Sequence, residues 1–539
     1  MIPGNKNRLE TLKIKERRWY KPLIHGIMEL TKNHSTNKEA YTMNSIAEIF
    51  DNDNQMIESI HRFFDRYIGN GLLRRCGIHK IVDKIIDKGY EYCNSPLLRL
   101  LGSNLKESRV LQKVVRAKDL LIDKILLCFM PGSAYRMFKN DTFYGDYGKD
   151  TFYRFDQLPT ANWERLEEIT ALNVILDIEA RTTANHTNVL IFDDSLNRRF
   201  GGKSTELCGK VFDHNDRKLR LGYRMMTGAW SNEELLVPFA QSMLTTRDSD
   251  LMVGPDEHVD GRTLRGKRRA LAKAKGTEVV QRMVERAQAT GIPFDYVLFD
   301  TWFSNPVQLI ALKGIGADTI AMIKKNTTKY TCKNAETGEE LKLNVKEIYS
   351  RNKKRRGRSK YLLSVDVTVS DSEGNEIPAK LVYARNRNNR KDWVCFICTD
   401  MELDEESILR IYSVRWQIET YYKMAKSYLK LCSECHSTSY DAITSHMVVV
   451  SIRYMILAVE RFNNSDNRSV EDLFYQVQRD IVNQMANVAI VTLLDILIDS
   501  VRDFFHATEE QINAMICTFV DRLPDAWKCR FQRPDTAAA

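Results

Sequence analysis

Between Tyr412 and Lys430 the chain reads YSVRWQIETYYKMAKSYLK, with one acidic residue, Glu419, set among Arg415, Lys423 and Lys426. In a helix, residues three, four, seven or eight apart share a face, so Arg415, Glu419, Tyr422, Lys423 and Lys426 line one side. Trp416, Ile418, Tyr421 and Met424 make an opposite stripe, an apolar surface for the helix to bury. A lone helical glutamate is ordinarily solvated. Two other carboxylates change its meaning. The run NVLIF at Asn188–Phe192 leads into Asp193-Asp194, and YVLF at Tyr296–Phe299 leads into Asp300; each reads as a buried strand ending in a carboxylate. A strand-end aspartate alone is a common turn former or cap. Three converging carboxylates, however, repel one another unless a divalent cation neutralises them, and hard oxygen ligands suit magnesium or manganese. A pair of such ions clamps the attacking and leaving oxygens of an in-line phosphoryl displacement. Metal-assisted phosphodiester chemistry is the class implied.

The gaps sharpen this. Tyr412, two residues, Arg415, three residues, Glu419, six residues and Lys426 resemble the Tyr-Arg-Glu-Lys signature of bacterial insertion-sequence transposases with a DDE active site. The resemblance covers roughly residues 150 to 450. It implies an RNase H-like core in which Asp193, Asp300 and Glu419 bind two magnesium ions, with manganese able to substitute. Asp193-Asp194-Ser195 is similar to the family's Asp-x-Ser pattern, which favours Asp193 as first ligand and leaves Asp194 as the alternative. The resemblance further implies that Tyr412, Arg415 and Lys426 contact phosphates of the transposon end. Their chemistry suits the role, since Arg grips phosphate bidentately, Lys supplies a point charge and Tyr donates one hydrogen bond. Lys423, one turn beyond Glu419, is expected to serve in the same way. Trp393 in KDWV is similar to the family tryptophan that stacks on a flipped base during hairpin formation; packing inside its own β-rich segment is the competing reading.

The elements that must position these residues follow from hydrophobic periodicity. Strands at 188–192, 219–227, 296–299 and 318–323 alternate with helices at 163–178, 232–244 and 305–313, which predicts an α/β fold with a mixed sheet. Residues 1–110 read as helical, and Met43–Tyr67, broken at Asp51–Asn54, suits either a DNA-reading helix-turn-helix or an ordinary helical hairpin. The first part of the core is expected over 111–325, a β-rich insertion over 326–400, the catalytic helix over 401–435 and a helical C-terminal region over 436–539. Asp404–Ser407 starts a helix with acidic residues suited to its dipole.

The composition is that of a globular chain: 539 residues, 43% hydrophobic, 28% charged, with 80 basic against 71 acidic residues for a net charge of +9. Eleven scattered cysteines and a charged start predict a reduced, cytoplasmic setting. The apolar runs Met447–Ala458 and Ala486–Ile498 are interrupted by Arg453 and Asp495 and read as core helices. Basic clusters at Arg262–Lys275 and Arg351–Lys360 suit a nucleic-acid partner, although charge runs are ordinarily solvated surface. Cys395-x-x-Cys398 and Cys432-x-x-Cys435-His436 have zinc-like spacing, but two strand residues three apart face opposite sides. The expected protein is a DNA transposase working on terminal inverted repeats and target DNA as a homodimer. The alternatives are an inactive DNA-binding regulator and a non-transposing nuclease of the same fold.

Overall fold

The computed structural model describes residues 55–522, apart from 79–80, 89–107, 141–142, 144–146, 184–185, 214–215, 334–337, 357–358, 387–388, 390 and 464–467. Of the helix pair expected over 43–67, residues 43–54 lie outside these residues, and the second half is helical from Gln55 to Phe63. The chain divides into two units, one built of residues 1–66, 79–155 and 471–539 and the other of 67–78 and 156–470.

In the first unit, β1 (Ile81–Lys88) pairs antiparallel with β2 (Ser108–Val115), Ile81 opposite Val115. This stretch was expected to be helical. Its β-branched residues, Ile81, Val82, Ile85, Ile86, Val110, Val114 and Val115, favour the extended pairing instead. The helix Ala117–Leu126 buries Leu120, Leu121 and Ile125. The unit also contains most of the 36-residue helix Val470–Phe505, whose Phe474 packs on Phe129 with ring centres 5.1 Å apart.

The second unit carries β3 (Val189–Arg198), β4 (Gly209–Asp213), β5 (Lys218–Ser231), β6 (Leu236–Leu244), β7 (Tyr296–Phe299), β8 (Asp318–Ile323), β9 (Lys329–Lys333), β10 (Glu340–Asn344), β11 (Leu363–Ser370), β12 (Glu376–Arg385) and β13 (Trp393–Cys398). All belong to one 11-stranded sheet in the order β10-β9-β11-β12-β13-β8-β7-β3-β5-β4, with β6 also paired to β5. Strands β3, β5 and β6 form an antiparallel meander, and β7 and β8 run parallel to β3. The core order β6-β5-β3-β7-β8 is that of the RNase H-like fold.

Three features depart from the sequence reading. Leu236–Leu244 is a strand, not a helix: all nine residues are buried, and a short apolar run buried on both faces gives no period by which to tell strand from helix. Strand β3 does not stop at its aspartates but continues to Arg198, opposite Gly222 of β5. The β-rich segment is not separate from the core, because β13 pairs antiparallel with β8, Cys395 opposite Ile323. At the centre, Gly228 of β5 makes room for aromatic packing; a Cβ there would lie 2.7 Å from Phe192 Cε1 and 3.0 Å from Phe239 Cζ.

Helices cover this sheet. Trp163–Arg181 is N-capped by Asn162, whose side chain accepts from the Arg165 N–H at 3.0 Å. Pro306–Gly314 begins with Pro at its first turn and Asn305 as cap, as expected. The 24-residue helix Tyr440–Asn463 is long and apolar enough by length and composition to cross a membrane, yet its most apolar window is wholly buried inside the protein.

Candidate functional site

The parallel register of β3 and β7 sets Phe192 opposite Phe299, so the next residues, Asp193 and Asp300, stand side by side. Burial pushes the Asp193 carboxyl up to about 7; Asp300 and Asp194 push the same way, and Arg415 opposes them. Asp300 Oδ1 accepts the main-chain N–H of Trp302 at 2.8 Å. Asp194 is engaged elsewhere: Arg224 donates to it through Nε at 2.9 Å and Nη2 at 2.7 Å, a bidentate pair.

Glu419 arrives on a helix assembled in three pieces. Glu405–Ser413 is capped by Asp404, which accepts from the N–H groups of Glu406 and Ser407, each at 3.0 Å. A 3₁₀ turn follows over Val414–Trp416, and the α-helix resumes over Gln417–Ser427. The single helix expected here is therefore tightened for one turn, and its faces shift. Ile418, Tyr421 and Met424 are buried as expected, but Trp416 is 64% exposed and anchors nothing in the core. Tyr422, expected on the carboxylate face, is buried, and its hydroxyl donates to the main-chain oxygen of Asp193 at 2.8 Å. Gln417 fixes the start of this segment: it accepts from Ser231 at 2.9 Å and donates to the Glu233 carbonyl at 2.6 Å.

Arg415 links the carboxylates. Its Nη2 donates to Glu419 Oε1 at 2.6 Å, and its Nη1 lies 3.7 Å from Asp193 Oδ2. Tyr412 sits beside it; burial pushes the phenol up to about 12, and its oxygen is buried with no hydrogen-bond partner among the described residues. Lys426 donates to Ser195 Oγ at 2.6 Å and, with Asp194, Arg224 and Cys432, lines a cavity of about 410 Å³. Lys423 is exposed. The structure thus groups Asp193, Asp300, Arg415, Glu419 and Tyr412. Among the described residues no set of three or more His, Cys, Asp or Glu side chains is close enough to hold a metal, the three carboxylates included, since Arg415 bridges two of them.

Trp393 lies apart from this group, at the start of β13. It stacks on Tyr349 with ring centres 4.8 Å apart and an interplanar angle of 23°, meets Tyr383 edge-on, and has Lys325 Nζ 4.2 Å from its centre. The basic run 262–275 is only partly a surface: Arg268 and Arg269 are 7% and 6% exposed and pair with Glu164, Asp441 and Glu206. Arg265 joins Asp441 too, at 2.6 Å. These ions hold the unit together, which corrects the reading of the whole run as a nucleic-acid contact.

Two family models match the chain. Residues 259–456 match the transposase DDE domain, and residues 117–340 match the DDE superfamily endonuclease. Over residues 117–456, which the two models cover between them, the chain is similar to the DDE transposases and endonucleases. The first match includes Asp300 and Glu419, the second Asp193 and Asp300, so together they span every carboxylate of the site. No curated protein matches the chain. Transposase domains of this superfamily bind DNA and generally use divalent metals. Two residues beside the site escaped the sequence reading: Arg224, 30 positions from the aspartate it grips, and Trp302, whose only signal was its place two residues after Asp300.

Proposed function

We propose that this protein cuts and rejoins DNA at the ends of an insertion sequence, using Asp193, Asp300 and Glu419 for phosphoryl transfer. The observation that carries this reading is the β3–β7 register, whose last pair, Phe192 with Phe299, is followed by Asp193 and Asp300, with Arg415 reaching from Asp193 to Glu419. The donor types suit a hard divalent cation, because all three are carboxylates and Asp193 is disfavoured as an anion by burial and by Asp300; closing them on an ion requires Arg415 to leave Asp193 and Glu419. Asp193, Asp300 and Glu419 would hold two magnesium ions, or manganese, which supply charge neutralisation and Lewis acidity at the reacting oxygens.

The chain's own residues position the DNA. Arg415 exchanges a carboxylate for a phosphate of the transposon end, using the same forked geometry for both. The partnerless Tyr412 hydroxyl donates to a phosphate oxygen, and Lys426 and the exposed Lys423 add point charges. Trp393, aromatic on one side and approached by Lys325, stacks on a flipped base and so permits a hairpin intermediate in a cut-and-paste reaction. Joining two ends calls for a homodimer on terminal inverted repeats and target DNA, in the bacterial cytoplasm at the nucleoid.

The test uses labelled duplexes copied from the DNA flanking the coding region, with magnesium and a target plasmid. The wild-type protein is expected to cut and join them, and Glu419→Gln to bind but do neither. Equal activity of the variant overturns the assignment of the site. Cutting with no joining by the wild type marks a nuclease in place of a transposase.

A further inference from the structure

Trp302 follows the carboxylate pair closely, with its main-chain N–H on Asp300 Oδ1 at 2.8 Å. Its side chain is 48% exposed, although an indole is among the groups that gain most from burial. Charge flanks it: Lys324 Nζ lies 4.6 Å from the ring centre and the Arg224 guanidinium carbon 5.1 Å. Arg224 is held in place by its bidentate pair with Asp194. Lys324 is exposed and has no ion pair among the described residues, so it can leave the ring for another anion. An exposed indole with cations over its ring matches a nucleobase, which takes the place of Lys324 on the ring, and the phosphates on either side of that base. An apolar protein surface would leave Lys324 without a counter-charge.

We infer that Trp302 is a stacking platform for the nucleobase next to the phosphodiester handled at Asp193 and Asp300, with Lys324 and Arg224 facing the adjacent phosphates. This gives Asp194 a role as well: it fixes Arg224 against the platform. The inference rests on the DNA-cutting function proposed above, and it concerns a different tryptophan and a different nucleotide from Trp393.

The experiment measures single-turnover cleavage of the flanking-DNA duplex by wild type, Trp302→Ala and Trp302→Tyr, with thermal melting to show that all three fold. A second duplex carries an abasic site at each position next to the cut in turn. Trp302→Ala is expected to cut the intact duplex between about 5- and 150-fold more slowly, and Trp302→Tyr to recover most of the rate. At one abasic position the wild type should fall to the rate of Trp302→Ala, and the variant should lose nothing further. If the wild type cuts and Trp302→Ala cuts equally well, or if every abasic duplex slows both proteins by the same factor, the stacking role is overturned while the DNA-cutting reading stands. If the wild type does not cut, that reading falls and this inference falls with it.

Discussion

At the scale of single residues, Asp193 and Asp194 are neighbours with opposite commitments. One faces Asp300 and Arg415; the other has both oxygens on Arg224. Asp193→Asn should therefore lower DNA cleavage at least about 10³-fold, whereas Asp194→Asn should keep cleavage within about tenfold of wild type. Single-turnover cleavage of labelled end DNA checks this, and a reversed order of the two effects transfers the first-ligand role to Asp194. The three acidic residues proposed for the site stand out in the sequence because each follows a recognisable apolar run or sits in a fixed-gap motif. Arg224 was not, since the pairing of β3 with β5 that brings it to Asp194 is a non-local fact. Trp416 misled for a local reason: the 3₁₀ turn rotates it out of the stripe that an uninterrupted helix would give.

Among the elements, β5 bears much of the positioning, because it pairs with β3, β4 and β6 at once. Its Gly228 lies opposite Phe192, the residue before Asp193, with Phe239 also against it. Gly228→Ala forces a methyl into that contact and should destabilise the protein by about 1–3 kcal/mol, measured by chemical denaturation. Cleavage should fall further than the loss of folded protein explains, since β3 must shift to accept the methyl. A fully active, equally stable variant would show that the aromatic pair has slack. Strands β3, β7 and β8 and the helix Pro306–Gly314 after β7 were readable from apolar runs and caps. Strand β6 was not: LVPFAQSML is apolar on both faces, and only its partner β5 decides its form.

Across the whole second unit, buried polar groups connect the sheet to the helices around it. Glu167, on the helix Trp163–Arg181, is fully buried and accepts from Gln241 of β6 at 3.0 Å; its other oxygen has no partner among the described residues. Burial raises its carboxyl from the ordinary 4.5 to about 7. The folded state thus favours the protonated form. Its contribution to stability is complete below pH 4.5, declines as pH rises to about 7, and is absent above that. Glu167→Gln, which keeps the acceptor and removes the charge, should raise stability at pH 8 by up to about 3 kcal/mol and change it little at pH 4.5. Denaturation midpoints at the two pH values test this, and an equal gain at both would assign the effect to packing. The same scale explains why the run 262–275 misled. Spacing shows how many cations a segment carries but not that Asp441 and Glu206, from distant positions, wait to neutralise them.

The pairing of β13 with β8 has a geometric consequence for DNA. Trp393 begins β13, and three strand-to-strand steps, β13 to β8 to β7 to β3, lead to Asp193. At about 4.8 Å per step, that fixes roughly 14 Å across the sheet. A hydrogen-bonded ladder does not stretch as a linker would, so the sheet acts as a gauge. In the reaction proposed above, the number of nucleotides between a base unstacked on Trp393 and the phosphate at the carboxylates would be counted in strands.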